Sequence, residues 1–125
     1  MASSNGFVAG AISGKYLSSI SCTINDNKIT NLPSNALVIT LGGNTDAWTL
    51  DTGNGLIGAT SVKNLAIDSG TTTWKISFEN NNAIIYNTNE SYGRFLYNVD
   101  SPRFLVYTSN TSDKMLLVQL YKYVD

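Results

Sequence analysis

The chain has 125 residues, with 8 basic and 9 acidic side chains, no histidine and a formal net charge of −1. That balance offers no long-range field for a phosphate backbone, a membrane surface or an acidic partner. The missing imidazole removes the base on which serine, cysteine and metal-hydrolase constellations depend. At 42% hydrophobic and only 14% charged, the chain is long enough for one domain with a real core, and its polar positions are crowded with Asn, Thr and Ser.

In chain order, Met1-Ala2-Ser3-Ser4-Asn5-Gly6 lacks the basic and apolar regions of a signal peptide, and no later stretch approaches the roughly 18 apolar residues that span a bilayer. Phe7-Val8-Ala9 predicts the first strand, and Gly14-Lys15-Tyr16-Leu17 a turn glycine ahead of a paired apolar step. Cys22 is the sole cysteine, so no intramolecular disulfide forms, and its setting in Ser21-Cys22-Thr23-Ile24 reads as a small half-buried residue. Asn25-Asp26-Asn27 resembles the start of an oxygen-ligand loop without the later bidentate Glu, which favours Asx turns over calcium. Asn27-Lys28-Ile29-Thr30 and Pro33 then predict an irregular connection.

Ala36-Leu37-Val38-Ile39-Thr40-Leu41 reads as a strand closed by a Gly42-Gly43-Asn44 turn, and Trp48-Thr49-Leu50 as the next strand, closed by Asp51-Thr52-Gly53-Asn54-Gly55. The glycines of Gly53-Asn54-Gly55-Leu56-Ile57-Gly58 precede no helix, so they make a turn and no phosphate cradle. After the strand Lys63-Asn64-Leu65-Ala66-Ile67, the run Thr73-Trp74-Lys75-Ile76-Ser77-Phe78 puts Trp74, Ile76 and Phe78 on one face and Lys75 and Ser77 on the other. Glu79-Asn80-Asn81-Asn82 turns the chain into Ala83-Ile84-Ile85-Tyr86. Gly93-Arg94-Phe95-Leu96 and Pro102-Arg103-Phe104-Leu105-Val106 follow, and the alternation of Leu116, Val118 and Leu120 predicts a last strand within Lys114 to Tyr123.

These elements recur. Leu17, Ile57 and Leu96 are evenly spaced, as are Leu37, Ile76 and Leu116, and Leu65 matches Phe104 in the same register. A unit of roughly 40 residues cannot bury its apolar face alone, so three units are expected to close around a shared core. Four strands in each of three units, approximately 7–47, 48–83 and 84–125 within one all-β domain, resemble the β-trefoil; a two-sheet β-sandwich is the alternative. The Gln-x-Trp signature of the ricin-type lectin branch is absent, since neither Trp48 nor Trp74 has Gln two positions earlier. The stretch from Thr73-Trp74-Lys75-Ile76 through Gly93-Arg94-Phe95-Leu96-Tyr97-Asn98 to Leu120-Tyr121-Lys122 also resembles small all-β accessory domains at the C-termini of secreted bacterial surface proteins.

Nine carboxylates, Asp26, Asp46, Asp51, Asp68, Glu79, Glu90, Asp100, Asp113 and Asp125, stand nearly all in turn-like contexts that suit backbone capping better than catalysis. Sugar rings stack apolar faces on Tyr or Trp while their hydroxyls seek amide, carboxylate and guanidinium partners. Tyr97-Asn98-Val99-Asp100-Ser101-Pro102-Arg103, with Tyr92 before and Tyr107 after, concentrates such groups in the third unit alone. The candidate ligand-binding set is therefore Tyr92, Tyr97, Asn98, Asp100, Arg103 and Tyr107. The competing expectations are that Tyr97 belongs to the core with a wet hydroxyl, that Arg103 pairs with Asp100, and that Trp48 and Trp74 are core. Asn89-Glu90-Ser91 and Asn110-Thr111-Ser112 satisfy the N-glycosylation pattern.

The sequence points to a non-enzymatic module that recognises a carbohydrate at one site, extracellular, on a cell surface or in a virion. No cofactor, metal, nucleic acid or membrane insertion is expected, and an oligomer is compatible with the low charge. The alternative is a structural or adhesion protein of a phage particle or cell-surface assembly, whose partner is another protein.

Overall fold

Tight hairpins with left-handed turn residues set the local structure. Strands β4 (Thr23–Asn25) and β5 (Lys28–Thr30) are joined through Asp26 and Asn27 at φ of 51° and 61°. Strands β10 (Trp74–Glu79) and β11 (Asn82–Asn87) are joined through Asn80 and Asn81 at 50° and 69°. Asn and Asp tolerate that backbone, which matches the right-handed twist of the strands they connect.

The computed structural model describes residues 1–124; Asp125, the last of the nine carboxylates, lies outside them. The remaining strands are β1 (Ala2–Ser3), β2 (Phe7–Ser13), β3 (Tyr16–Ser21), β6 (Thr40–Asn44), β7 (Ala47–Asp51), β8 (Ile57–Ser61), β9 (Asn64–Ile67), β12 (Arg94–Asn98), β13 (Arg103–Tyr107) and β14 (Met115–Gln119). One 3-10 turn, Glu90–Tyr92, interrupts them. The main sheet runs β1-β2-β3-β13-β12-β14-β11-β10-β7-β6, with β1 also pairing β14 and β11 also pairing β12. The β1–β14 ladder, Ala2 opposite Gln119 and Ser3 opposite Val118, closes the wall, and with β11 the closed barrel has seven strands. The protein is all-β, and a closed wall replaces the two-sheet sandwich.

The core collects the predicted anchors. Leu17, Ile57, Leu96 and Phe104 are completely buried and Leu65 nearly so, with Leu37, Ile76 and Leu116 half-buried around them. Trp74 is fully buried, tilts against Phe95 at 4.9 Å and donates its indole N–H to the Ile57 carbonyl at 2.9 Å, so it is a core residue as expected. Trp48 is half-buried and pairs with Trp74 in register.

Strand content does not recur so evenly. Leu37 lies outside any strand, where Ala36 only bridges to Gly10 and the Leu37 amide donates to the Ala9 carbonyl at 2.8 Å. The predicted Ala36–Leu41 strand is displaced to Thr40–Asn44, and Gly42-Gly43-Asn44, expected as a turn, sits inside it. The reason is close approach: a side chain on Gly42 would meet Thr49 Oγ1 at 2.8 Å, and one on Gly43 would collide with the Ala47 carbonyl. The turn falls instead at Thr45-Asp46, where Asn44 Oδ1 accepts the Asp46 amide at 3.1 Å. The irregular connection predicted near Lys28 is the short β4–β5 hairpin. Of the face shared by Trp74, Ile76 and Phe78, only the first is fully covered; Phe78, near the β10–β11 turn, is 70% exposed.

Candidate functional site

Of the six residues singled out from the sequence, the fold gathers three. Tyr97 is 1% exposed. It stacks on Phe7 at 5.5 Å, meets the edge of Phe104 at 4.8 Å, and shares a 2.8 Å hydrogen bond with Ser19 Oγ, so no face is free for a sugar. Its strand runs between β13 and β14 and buries Phe95, Leu96 and Tyr97 in succession, which corrects its placement in a binding site. Tyr92 sits half-buried in the 3-10 turn, packed against the core. Asp100 is exposed and faces Lys114 Nζ at 3.7 Å; the expected Asp100–Arg103 pair is replaced by this one.

Asn98, Arg103 and Tyr107 line a cleft of about 370 Å³ together with Lys15, Tyr16 and Lys63. Three turns meet there. Gly14 and Lys15 turn β2 into β3, with Gly14 at φ 67° and open space where a side chain would stand. Lys63 turns β8 into β9 at φ 61°, its amide donating to the Val106 carbonyl at 2.9 Å. The loop between β12 and β13 supplies Ser101 and Arg103. The Leu65 amide donates to the Lys15 carbonyl at 2.9 Å, and Phe104 stands opposite Leu17, so backbone bonds hold all three turns in place.

The side chains are fixed as well. Arg103 lies 4.0 Å over the Tyr16 ring and donates its Nε–H to the Ser101 carbonyl at 3.2 Å, which sets the plane of the guanidinium. Tyr107 is only 5% exposed yet lines the cleft, with Lys63 Nζ 5.9 Å from its ring centroid. Its hydroxyl oxygen accepts the Asn98 amide at 3.2 Å, while Asn98 Oδ1 accepts the Ser101 amide at 3.0 Å. Asn98 is thus engaged at both ends and positions its neighbours. What the cleft offers a ligand is a set of donors: the Tyr107 hydroxyl, the Arg103 terminal nitrogens and two ammonium groups.

Lys15, Tyr16 and Lys63 were not singled out from the sequence. The available signal was the match between Gly14-Lys15-Tyr16-Leu17 and Gly93-Arg94-Phe95-Leu96, and between Lys63–Ile67 and Pro102–Val106, which implies equivalent hairpins whose turns meet at one end.

A larger cavity of about 860 Å³ opens at the other end of β2. Its floor is the buried Met1, Val8, Leu50 and Ile85, and Leu32, Val38 and Leu41 stand exposed on its rim. Burial lowers the Met1 amine to about 6, with the neighbouring Cys22 opposing. Burial likewise raises the Cys22 thiol, offset in part by that amine, which leaves less of the reactive thiolate. Two of the turn carboxylates cap the backbone in the expected way: Asp51 Oδ1 accepts the Gly53 amide and Asp68 Oδ1 the Leu56 amide, each at 2.8 Å. In the two glycosylation patterns, Asn110 is exposed, whereas Asn89 is half-buried and accepts the Ser91 hydroxyl at 2.7 Å. Comparison with protein-family models, with curated proteins and with solved structures finds no match to this chain.

Proposed function

We propose that this chain is a non-enzymatic module of β-trefoil type that recognises carbohydrate in the cleft lined by Tyr16, Arg103 and Tyr107. Three matched hairpin segments support the scaffold reading: β3, β9 and β13 each touch the other two, and each unit contributes one fully buried anchor among Leu17, Ile57 and Leu96. The carrying observation for function is convergence. Polar groups from three separate turns meet in a cleft whose volume lies within the roughly 300–1,000 Å³ of small-molecule sites. A donor-rich wall suits an acceptor-rich ligand, and a short saccharide presents many acceptor oxygens in a small volume. Recognition is by hydrogen bonding more than by stacking, because Arg103 covers one Tyr16 face and Tyr107 is all but buried.

The test is a broad glycan array run beside light scattering on the same preparation, with Tyr107→Phe as the variant that removes one donor and keeps the ring. Selective binding of related saccharides, weakened by that variant, is the expected result; no saccharide bound at millimolar concentration would end this reading. A second reading, a structural or adhesion protein, is favoured by the exposed Leu32, Val38 and Leu41 at the opposite cavity, and a stable oligomer without glycan binding would move the assignment to it.

A further inference from the structure

The cleft concentrates charge that the chain as a whole does not have. Three of its eight cationic side chains, Lys15, Lys63 and Arg103, line one cleft of about 370 Å³, and no carboxylate does so among the described residues. The nearest acid along the chain, Asp100, is turned to Lys114. Among the described residues, none of the three cations has a carboxylate within ion-pair distance. Like charges brought together repel, and the fold nonetheless fixes their backbones with the Lys63–Val106 and Leu65–Lys15 hydrogen bonds. The Arg103 guanidinium is held flat by Tyr16 and Ser101, so its terminal nitrogens are oriented before any ligand arrives.

We propose that this cleft selects saccharides that carry an anionic group, a sugar carboxylate or a sulfate ester, with Arg103 taking two oxygens of the anion and Lys15 and Lys63 neutralising it. The inference rests on the carbohydrate reading above and names the class of sugar. Both anions are planar or pyramidal oxygen clusters that a guanidinium fork receives through paired N–H donors, and hydrogen bonds to a charged group are about twice as strong as neutral ones. Neutral saccharides would leave three positive charges unpaired.

Isothermal titration of the 125-residue protein decides it, with a sulfated disaccharide, a uronic-acid disaccharide, their neutral counterparts and inorganic sulfate as separate probes. At least one anionic disaccharide should bind about tenfold or more tightly than its neutral counterpart, and weaken as salt rises from 50 to 300 mM. Which of the two binds identifies the anion. Arg103→Gln and Lys63→Gln should each lose roughly tenfold, while Arg103→Lys keeps the charge without the fork and recovers only part. Lys63 is exposed, so Lys63→Gln tests the charge even where Arg103→Gln loosens the loop, and thermal unfolding of each variant separates the two effects. Equal binding of neutral and anionic sugars overturns the charge inference and leaves the carbohydrate reading standing. Binding of inorganic sulfate as tight as any disaccharide overturns the carbohydrate reading, and silence from every probe overturns both.

Discussion

Strand β2 runs from one cleft to another of opposite character: Ser13 lines the small donor-rich cleft and Val8 the large apolar cavity. At the Ser13 end, hairpins lock against one another and every turn is tied by a backbone hydrogen bond. At the Val8 end the chain between β5 and β6 has one isolated bridge at Ala36, and its apolar side chains stay partly in water. The difference shows where the apolar pattern was spent. Beside the small cleft Leu17 and Leu105 are buried, and the lining left to solvent is mostly polar; the other end also buries Met1, Val8, Leu50 and Ile85 but keeps Leu32, Val38 and Leu41 exposed.

The largest test of this contrast is a pair of truncations. Phe104→Ala removes a fully buried ring packed on Tyr97 and Leu17 and should cost about 3–5 kcal/mol of unfolding free energy. Leu32→Ala, at a side chain already 39% exposed on the apolar rim, should cost less than about 1 kcal/mol. Denaturant unfolding of both reads the difference directly, and equal losses would erase the distinction between the two ends.

Local chemistry in the sequence foretold the strands and most turns, because alternation and Asn, Asp or Gly punctuation act over a few residues. The spacing of Leu17, Ile57 and Leu96 foretold their burial too. Tyr97 misled because it adjoins a turn-like Asn98-Val99-Asp100-Ser101 run, and nothing nearby reveals that β12 lies between β13 and β14. Gly42 and Gly43 misled in the opposite sense, for they read as a turn while serving the close approach of β7. Of the six candidate residues, Asn98, Arg103 and Tyr107, which the fold brings into one cleft, were legible as a local concentration of polar and aromatic groups. Lys15 and Lys63 come from distant turns, and only tertiary closure brings their charges to Arg103. A net charge near zero hid them, since composition averages over the whole surface.

Acidity separates the ends next. In a protein with a free Met1 amine, burial at the apolar cavity depresses that group from 8.0 to about 6. Between those values the unfolded chain binds the proton and the folded one does not, so stability is greatest above pH 8 and falls as pH drops to 6. The expected loss is roughly 2–3 kcal/mol. Denaturant midpoints across this range measure it, and acetylating the amine should flatten the curve; an unchanged slope after acetylation would assign it to other groups.

A finer comparison lies within one strand. Tyr97→Phe deletes only the hydrogen bond to Ser19, so it should cost about 1 kcal/mol and leave saccharide affinity as it was. Tyr97→Ala opens a core cavity instead and should destabilise by several times as much, so lost binding in that variant would report unfolding.

The smallest effect concerns Asp100, which the sequence placed among the ligand contacts and the fold turns toward Lys114. Both partners are more than half exposed, and such pairs contribute little, so Asp100→Asn should shift stability by no more than about 0.5 kcal/mol. Its consequence for binding has a definite sign. Removing a negative charge close to a cleft of three cations should hold or slightly raise affinity for an anionic saccharide, by at most about twofold at physiological salt, where screening is strong over 8–10 Å. A carboxylate that accepted sugar hydroxyls would behave oppositely, with affinity dropping tenfold or more on amidation. Titrating the anionic disaccharide into Asp100→Asn therefore distinguishes a cleft that reads charge through Lys15, Lys63 and Arg103 from one that reads hydroxyls through the loop before Arg103.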